Sequence, residues 1–499
     1  MSAKINIGWY TRDGDLEYFA KVSKKLLVED HEIKSHYICH TRAEYKTLQN
    51  QFDVFADVLG DYTHDISISD KDDIKHELNR IRNQYPFMPM RKLVWGDMYE
   101  LNRSDRELAI DIVSHFKFFE KFCIENKIKV IVSEGPGILA TNILWTICHK
   151  HDILFVEYTP VGLPGRKNFR TSWEDGIHGI DAIISNVQVD ESSDYYHKAE
   201  EYLDTIKSKY TPPPYVGIDL NTGKKIKANQ SYWSFPKKSI GLSTIFKAYG
   251  RAVDRRNNNN YYLSKRKVFQ PYLKWITTGF RHKRLKYSKL FANQKSLKTG
   301  KYFFFPLHIL HEWCDYPWMG PRYNKIDEVI GMVSDSLPLG YQLVVKEHPA
   351  LFPEKSIKFY KKLKSIRNVI LLGPSENTHS IIKNSAGVVT LGSTSGWESF
   401  LIGKPVYLLA DSWYRNFPGV KRVENIFQLV TLLQNHDQVI LPERAEKLKI
   451  IYSLFQSSFP AKHYPIVEIN SEWNVAQSST AIGELIAVEF GNEQTRNAQ

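Results

Sequence analysis

The sequence predicts an α/β fold with two doubly wound sheets of parallel strands, whose carboxyl ends face a central crevice. Strand-length apolar runs alternate with helical periodicity in both the first and the last part of the chain. The 499 residues are enough for about two to four domains. The composition, 42% hydrophobic and 24% charged, is typical of globular proteins and excludes a disordered or coiled-coil chain.

The first alternating region opens with a strand over Ile5–Tyr10 and a helix over Leu16–Leu27, joined by the turn sequence TRDGD. Apolar residues at helical spacing predict a helix over Arg106–Asn126. The β-branched run KVIVS follows, then a helix over Ile138–Lys150 and the strand ILFVEYT. This order is typical of parallel β-α units.

The second alternating region begins at Lys301. Its predicted strands are YFFFPLH, YQLVVKEHP, NVILLG, GVVTLGS and PVYLLA. Its predicted helices are Lys325–Leu337, Ser356–Ile366, Thr378–Asn384 and Thr394–Ile402. Five strands with short helical crossovers predict a second doubly wound sheet, and Ser479–Val488 is a candidate for the last helix.

These patterns divide the chain into four expected parts. Residues 1–235 form a first α/β domain, 236–300 a basic, aromatic-rich connector or insertion, 301–470 a second α/β domain, and 471–499 a C-terminal helix with a polar tail. Ligands of such domains bind in the crevice at the carboxyl ends of the strands. The chemistry is therefore expected on strand-to-helix loops.

The net charge of +12 is concentrated in one segment. Residues 237–301 contain 18 lysines and arginines and a single acid, Asp254, with aromatic residues interleaved. A surface of this kind attracts anionic lipid headgroups or nucleic acid. Two alternatives stay open, an anionic membrane surface as partner or a solvated connector. Nucleic acid is disfavoured because the sequence has no finger or RNP-type signature.

The cysteines have neither paired spacing nor histidines at zinc-finger spacing, so we expect reduced core residues: Cys39, Cys123, Cys148 and Cys314. The N-terminal sequence lacks a basic segment followed by a long apolar run, and no apolar stretch approaches 18 residues. We therefore expect a cytoplasmic protein, either free or peripheral on the inner face of the cytoplasmic membrane.

The most informative loop lies in VVTLGSTSGWESFLIGKPV, Val388–Val406. Three hydroxyl residues stand between two glycines after a buried strand: Gly392, Ser393, Thr394, Ser395 and Gly396. Small residues and free amides at the start of a helix favour a bound phosphate. An alternative needs no ligand, because Ser395 and Glu398 have the spacing of a capping box.

A second candidate is the strand end formed by Lys346, Glu347, His348 and Pro349. Here an ammonium and an imidazole able to carry a positive charge would neutralise a phosphate leaving group without a metal. The alternative is a histidine whose ring is satisfied by backbone carbonyls.

A third candidate is Glu134, which follows a buried strand and precedes Gly135, Pro136 and Gly137. Its carboxylate is expected at the interdomain face, where it can act as a general base on an acceptor hydroxyl or cap a turn. Asp13 and Asp15, on the loop after the first strand, are expected at an equivalent position and are the alternative candidates for the general base.

A fourth candidate is His308, close to His311 and Glu312. The order HxxHE is not that of a zinc protease helix, and Pro306 lies just before it, so no metal site is predicted. Contact with a substrate or a nucleotide is expected instead.

These residues carry a resemblance. Over Lys301–Asp411, the runs YFFFPLH, SLPLGYQLVVKEHP and LGSTSGWESFLIGKPV resemble the capsule polysaccharide biosynthesis family of bacterial glycosyltransferases, which includes the Kdo transferases of capsule assembly. The His-Pro pair and the Ser/Thr-rich loop are also similar to motifs of bacterial sialyltransferases. The first half matches only in its β-α layout and in the SEGPG segment.

The resemblance implies a GT-B fold of two Rossmann-like domains, a nucleotide-sugar donor held by the C-terminal domain, and no obligatory metal. By position, His348 would contact the donor phosphate, and the Ser393–Ser395 loop its phosphate or a sugar carboxylate. The other residues expected at the donor are Lys346, Glu347, Pro349, Gly392, Glu398 and His308. The sequence departs from the Kdo transferase branch at Pro306–His308, where that branch commonly has a glutamine.

The residues and the resemblance together predict a glycosyltransferase. It would move a sugar, a CMP-linked acidic sugar such as Kdo or a nonulosonic acid, onto a bacterial surface glycan or glycolipid acceptor. Glu134 is the expected base, and Lys346 and His348 would stabilise the departing phosphate together with the Ser393–Ser395 loop, which we call the hydroxyl loop. Two alternatives remain: an epimerase or polyol-phosphate transferase of the same architecture, and a non-catalytic module that binds membranes or nucleic acid through the basic segment.

Overall fold

The computed structural model describes residues 3–10, 16–28, 31–39, 42–52, 55–58, 71–94, 104–133, 138–171, 177–208, 270–308, 325–349, 352, 355–410, 412–462 and 466–496. The described strands are β1 (Ala3–Tyr10), β2 (His31–Cys39), β3 (Phe55–Val58), β4 (Val130–Ser133), β5 (Leu154–Pro160), β6 (Arg166–Arg170), β7 (Tyr302–Pro306), β8 (Gln342–Lys346), β9 (Val369–Leu372), β10 (Gly387–Thr390), β11 (Val406–Leu408), β12 (Val420–Arg422) and β13 (Phe459–Pro460).

The described α-helices are α1 (Leu16–Lys25), α2 (Arg42–Phe52), α3 (Lys71–Gln84), α4 (Asp105–Glu125), α5 (Leu139–Lys150), α6 (Ile180–Asn186), α7 (Asp194–Ser208), α8 (Gln270–Lys286), α9 (Ile326–Asp335), α10 (Ile357–Ser365), α11 (Thr378–Asn384), α12 (Thr394–Ile402), α13 (Ile426–Gln434), α14 (Arg444–Ser457), α15 (Ile466–Ile469) and α16 (Glu472–Arg496).

The first sheet has the strand order β13-β6-β5-β4-β1-β2-β3. The strands from β5 to β3 are parallel, whereas β6 and β13 run antiparallel to their neighbours. Alternate residues of each central strand enter separate cores on the two faces. Tyr10 and Ile131 pack with α4 and α5, while Trp9 and Val132 pack with α1 and α16. Burial on both faces explains why these strands are almost wholly apolar.

The second sheet has the order β12-β11-β10-β7-β8-β9 and is parallel throughout. Numbered within this sheet, the order is 3-2-1-4-5-6, that of a doubly wound dinucleotide-binding fold. Its first strand, β7, lies between β8 and β10, so the chain reverses its winding between β7 and β10. A ligand is expected beyond the carboxyl ends of these two strands. Two sheets of this kind confirm the predicted α/β fold class.

The predicted strands and helices of both regions are present, with ends within a few residues of those expected. One strand of the second sheet was missed, because β12 has three residues, too few for a period to be detected. The last helix is longer than predicted. The side chains of Val475, Ala481, Ile482, Leu485 and Ile486 of α16 are buried in the core of the first domain.

The chain crosses between the two sheets. After the second sheet, α14 packs against α6 and α7, β13 adds to the edge of the first sheet, and α16 packs against α1. On α12, the indole Nε1 of Trp397 donates to the Gly162 carbonyl at 3.1 Å. Gly162 has φ +73°, and a Cβ there would clash with the Trp397 ring. A glycine is therefore required at this contact.

The described part of the basic segment packs on the second sheet. Leu285 of α8 and the nearby Leu290 belong to its core, and Ala292 forms a parallel bridge with Leu372 of β9. Among the described helices, none is long and apolar enough to cross a membrane. Cys39, Cys123 and Cys148 are buried free thiols, as predicted, whereas Cys314 lies outside the described residues.

Candidate active site

The winding of the second sheet reverses between β7 and β10, and two of their polar residues meet there. His308 follows β7 and Thr390 ends β10, and both side chains are buried. Nε2 of His308 lies 3.0 Å from the Thr390 Oγ1 and accepts from the Leu391 amide at 3.3 Å. The reversal thus places His308 against the strand that leads into the hydroxyl loop.

The protonation of His308 follows from its surroundings. Burial, and to a smaller extent the electrostatic interaction with His348 and Lys355, lowers its pKa to about 3, so the ring is neutral at pH 7. Because Nε2 accepts from the Leu391 amide, the proton is assigned to Nδ1. Among the described residues, Nδ1 has no hydrogen-bond partner. A buried donor of this kind is available to a ligand.

Thr390 organises the start of the hydroxyl loop. Its Oγ1 accepts from the amides of Gly392 at 3.3 Å and Ser393 at 3.1 Å, and it lies 2.9 Å from the Ser393 hydroxyl. Gly392 has φ +114°, which favours glycine. The sequence interpretation treated Thr390 only as the end of a strand and missed this role. The sequence feature that could have indicated this role is a polar residue at the end of an otherwise apolar strand.

The capping-box alternative for this loop is wrong. Helix α12 begins at Thr394, its N-cap is Ser393, and the side chain of Ser393 does not cap it, because it points to Thr390 instead. Ser395 therefore lies inside the first turn. Thr394 is exposed and Ser395 half-buried. The first amides of α12 have no side-chain cap, which leaves them available to an anion.

Tyr414 packs against the hydroxyl loop and fixes its backbone. Its hydroxyl donates to the Ser393 carbonyl at 2.6 Å. A Cβ at Gly396 would clash with the same hydroxyl, so the second glycine of the motif is required by packing. Glu398, one turn later, is largely buried, and its Oε2 lies 3.5 Å from Nε2 of His379.

Lys346 ends β8, the strand next to β7. Its side chain is 5% exposed, and Nζ donates to the Glu347 carbonyl at a long 3.4 Å. Burial lowers its pKa to about 8, against the opposite effect of the carboxylates of Glu347, Glu398 and Glu376. Within the described part of the chain, its ammonium forms no ion pair. A buried ammonium in this state is stabilised by an anionic ligand.

His348 is uncharged in the free protein. Burial, then the charges of Lys346 and Lys355, lowers its pKa to about 4, so the ring is neutral at pH 7. The positive charge that this imidazole is able to carry is therefore absent in the free protein. A neutral imidazole still offers one N–H donor to a phosphate oxygen.

Glu347 turns inward, away from the role expected at the donor. Its carboxylate is 1% exposed and accepts from the Tyr360 hydroxyl, from Lys355 Nζ at 3.1 Å and from the His348 amide at 2.7 Å. These bonds hold the backbone at His348. Neither Lys355 nor Tyr360 was singled out from the sequence, since they lie 8 and 13 residues away with no local motif.

A cleft of about 220 Å³ lies beside this edge, where β9 ends. Its lining comes from the end of α8, the segment that follows α8 and the loop after β9: Leu285, Lys286, Lys289, Leu290, Phe291, Ala292, Asn293, Gly373, Ser375 and Glu376. Glu376 belongs to this lining and is near enough to affect Lys346. The site thus has open volume next to the Lys346–Pro349 strand end.

The first sheet presents a row of buried polar residues at its carboxyl edge. Tyr10, Ser133, Glu157 and Arg170 are paired in register across β1, β4, β5 and β6. Arg170 Nε donates to Glu157 Oε2 at 2.6 Å, which forms a buried ion pair. The candidate base Glu134 directly follows Ser133.

Several expected residues lie outside the described residues: Asp13, Asp15, Glu134, His311 and Glu312. In the described ranges, no group of three or more His, Cys, Asp or Glu side chains is arranged to hold a metal ion.

The part of the chain that contains the site matches a known protein family. Residues 271–448 match the family described as capsule polysaccharide biosynthesis protein. The resemblance expected over Lys301–Asp411 is thereby confirmed, and the matched region extends further in both directions, into α8 and α14. It contains all the described candidate residues of the second sheet.

Comparisons with individual proteins are weaker. A search of curated protein sequences found no significant match. A β-Kdo 2,7 transferase, KpsC of Thermosulfurimonas dismutans, matches at TM-score 0.35 and 11% identity, covering 75% of this chain and 97% of that one. A UDP-GlcNAc 2-epimerase of Neisseria meningitidis bound to UDP-GlcNAc matches at TM-score 0.29 and 14% identity, covering 97% and 99%. These TM-scores are too low to carry an inference, so the fold assignment stands on strand order and register.

Proposed function

We propose that the protein is a glycosyltransferase of GT-B architecture that uses a nucleotide-sugar donor in capsule or related surface-glycan synthesis. The observation that carries the proposal is the polar network at the point where the second sheet reverses its winding. There His308, Thr390 and the hydroxyl loop adjoin the start of α12. Buried donors next to the uncapped start of a helix suit the phosphate of a nucleotide sugar.

The proposed roles follow from the contacts. Lys346 supplies positive charge to the departing phosphate, and His348 and His308 each donate one N–H. Ser393, Thr394 and Ser395 offer hydroxyls and amides to the phosphate or to a sugar carboxylate. Pro349, Gly392 and Glu398 shape the loops, and Glu347 is a positioning residue that holds His348. No metal is assigned a role.

The acceptor side is proposed in the first domain. Glu134 is the proposed general base toward a hydroxyl of a glycan or glycolipid acceptor. The ion pair of Glu157 and Arg170 adjoins the strand that ends before it. We propose a CMP-linked acidic sugar as donor, because a sugar carboxylate adds a second anion for a site rich in N–H and O–H donors.

The first test is thermal stabilisation of the protein by CMP, CDP, UDP and GDP, for the wild type and for His348→Ala. A ligand that binds only the folded state at a hundredfold excess over its Kd stabilises by about 2.7 kcal/mol. We expect a shift with one nucleotide that is reduced in His348→Ala. Absence of a shift with all four nucleotides contradicts the proposal.

Product analysis separates the alternatives of the same architecture. An epimerase converts the nucleotide sugar with no acceptor present, a polyol-phosphate transferase leaves phosphate on the product, and a glycosyltransferase releases the nucleotide only with an acceptor. Incubation of candidate nucleotide sugars with and without acceptor glycans distinguishes them. A non-catalytic module would leave every donor intact and be indifferent to His348→Ala.

A further inference from the structure

The last turns of α8 carry an unusual surface. Phe280 is 70% exposed and Tyr287, directly after the helix, is 72% exposed. They are seven residues apart and therefore lie on one face of the helix. Lys283 and Arg284, both exposed, lie between them. Two exposed aromatic rings with cations between them form what we call the α8 patch, defined by Phe280, Lys283, Arg284, Lys286, Tyr287 and Lys289.

The charge of the α8 patch is not compensated locally. Residues 270–301 contain nine lysines and arginines and no acid. Lys283, Arg284, Lys286 and Lys289 form no ion pair within the part of the chain that the structure describes. Exposed cations without acidic partners, next to exposed aromatic rings, match the anionic headgroups and the apolar boundary of a lipid bilayer.

The opposite face of α8 holds the patch rigidly. Leu285 is 1% exposed in the core of the second sheet, and the ring of the buried His282 lies 5.7 Å from that of Phe352. Phe352 follows the Lys346–Pro349 strand end by three residues. It also contacts Phe291, which packs on Tyr360, the residue bonded to Glu347. The patch is therefore carried by the packing layer directly beneath the candidate donor site.

From this geometry we propose that the α8 patch docks the protein on an anionic lipid bilayer. The aromatic rings of Phe280 and Tyr287 enter the headgroup boundary, and the four cations contact the lipid phosphates. The docking itself is independent of the reaction. Its use, to bring the donor site to a lipid-linked acceptor at the membrane surface, rests on the proposed function.

The test is sedimentation of the full chain with two kinds of vesicle, phosphatidylcholine alone and phosphatidylcholine with about 30% phosphatidylglycerol. The phosphatidylglycerol gives the second kind a negative surface charge. We expect binding to the anionic vesicles only. Lys283→Glu with Arg284→Glu should weaken it by about 30-fold or more, since each cation contributes about 1 kcal/mol. Phe280→Ser with Tyr287→Ser should weaken it by about tenfold or more.

The matched control is Lys25→Glu with Lys129→Glu, which makes the same change in net charge at exposed positions of the first domain. It should leave vesicle binding within about twofold of wild type. Equal losses in the control and in the charge variant would show an effect of net charge only and overturn the proposal. So would unchanged binding in both patch variants, which would assign binding to another part of the chain.

Two further measurements keep the outcomes distinct. Binding to a polynucleotide that is lost with the charge variant, while the aromatic variant still binds vesicles as wild type, would identify a nucleic-acid surface and overturn docking on lipid. Nucleotide-induced thermal stabilisation should be unchanged in both patch variants, since the four substituted residues do not line the cleft beside the donor site. A failure of membrane docking therefore leaves the proposed function untouched, and the converse also holds.

Discussion

The two sheets have the same central strand order, but a buried cation at the carboxyl edge forms an ion pair in the first sheet and, among the described residues, forms none in the second. In the first sheet, Arg170 and Glu157 neutralise each other at 2.6 Å. In the second sheet, Lys346 is equally buried, yet its ammonium forms no ion pair with a described residue and its pKa falls to about 8. A matched pair belongs to the resting fold, whereas an unmatched cation favours an anionic ligand. The difference favours the second sheet as the location of the proposed phosphate site.

The largest expected effect comes from breaking the matched pair. Arg170→Met leaves the Glu157 carboxylate buried without its cation and should destabilise the fold by about 3–5 kcal/mol. Denaturant unfolding measures the change. The double variant Glu157→Met with Arg170→Met removes both charges and should recover most of the loss. If the single and the double variant are destabilised equally, the two side chains stabilise the fold through packing and not through their charges.

The same substitution in the second sheet should act in the opposite direction. Lys346→Met removes an unpaired buried ammonium and should stabilise the free protein, by up to about 3 kcal/mol. It should also abolish stabilisation by nucleotides. The measurement is unfolding with and without nucleotide. A destabilised Lys346→Met protein would show that the ammonium is satisfied in the free state, and the contrast between the sheets would disappear.

The pH dependence of this stabilisation has a definite sign. The folded-state pKa of Lys346, about 8, lies below its unfolded value of 10.5. The cost of burying its charge is therefore complete below pH 8 and disappears as the pH rises toward 10.5. The difference in the free energy of unfolding between Lys346→Met and wild type should shrink between pH 8 and 10.5. The difference between Lys346→Met and Lys346→Arg should stay constant over this range, because a guanidinium stays protonated there.

A smaller effect is expected at Thr390. Thr390→Val removes the hydroxyl that accepts from the Gly392 and Ser393 amides and contacts His308. Loss of these bonds should cost about 1–3 kcal/mol and reduce stabilisation by nucleotides. Thr390→Ser keeps the hydroxyl and should restore both. If Thr390→Val binds nucleotides as wild type does, the hydroxyl loop has only a structural role. The carboxyl edge of the second sheet would then have no more evidence for a phosphate site than that of the first sheet.

Much of the fold followed from local pattern. Short apolar runs predicted β1 and β7 to β11, because parallel strands that are buried on both faces are apolar along their whole length. The segment that follows the fourth of the predicted strands in the second region was predicted as α12. The short β12 and the full length of α16 were missed, since their positions depend on partners far along the chain. The hydroxyl loop and the His-Pro strand end were likewise visible as strand-to-helix junctions.

The sequence by itself determined the elements, the two alternating regions and the residue types at the junctions, because these depend on neighbours within a few positions. Only the tertiary structure decided the pairing of side chains. The sequence analysis expected Glu347 at the donor, but Lys355, just before α10, and Tyr360 of α10 bind its carboxylate and turn it inward. His308 meets Thr390 across 82 residues, and Arg170 meets Glu157 through strand register. Burial in these contacts sets the charge of His308, His348 and Lys346, and no local pattern encodes burial by distant segments.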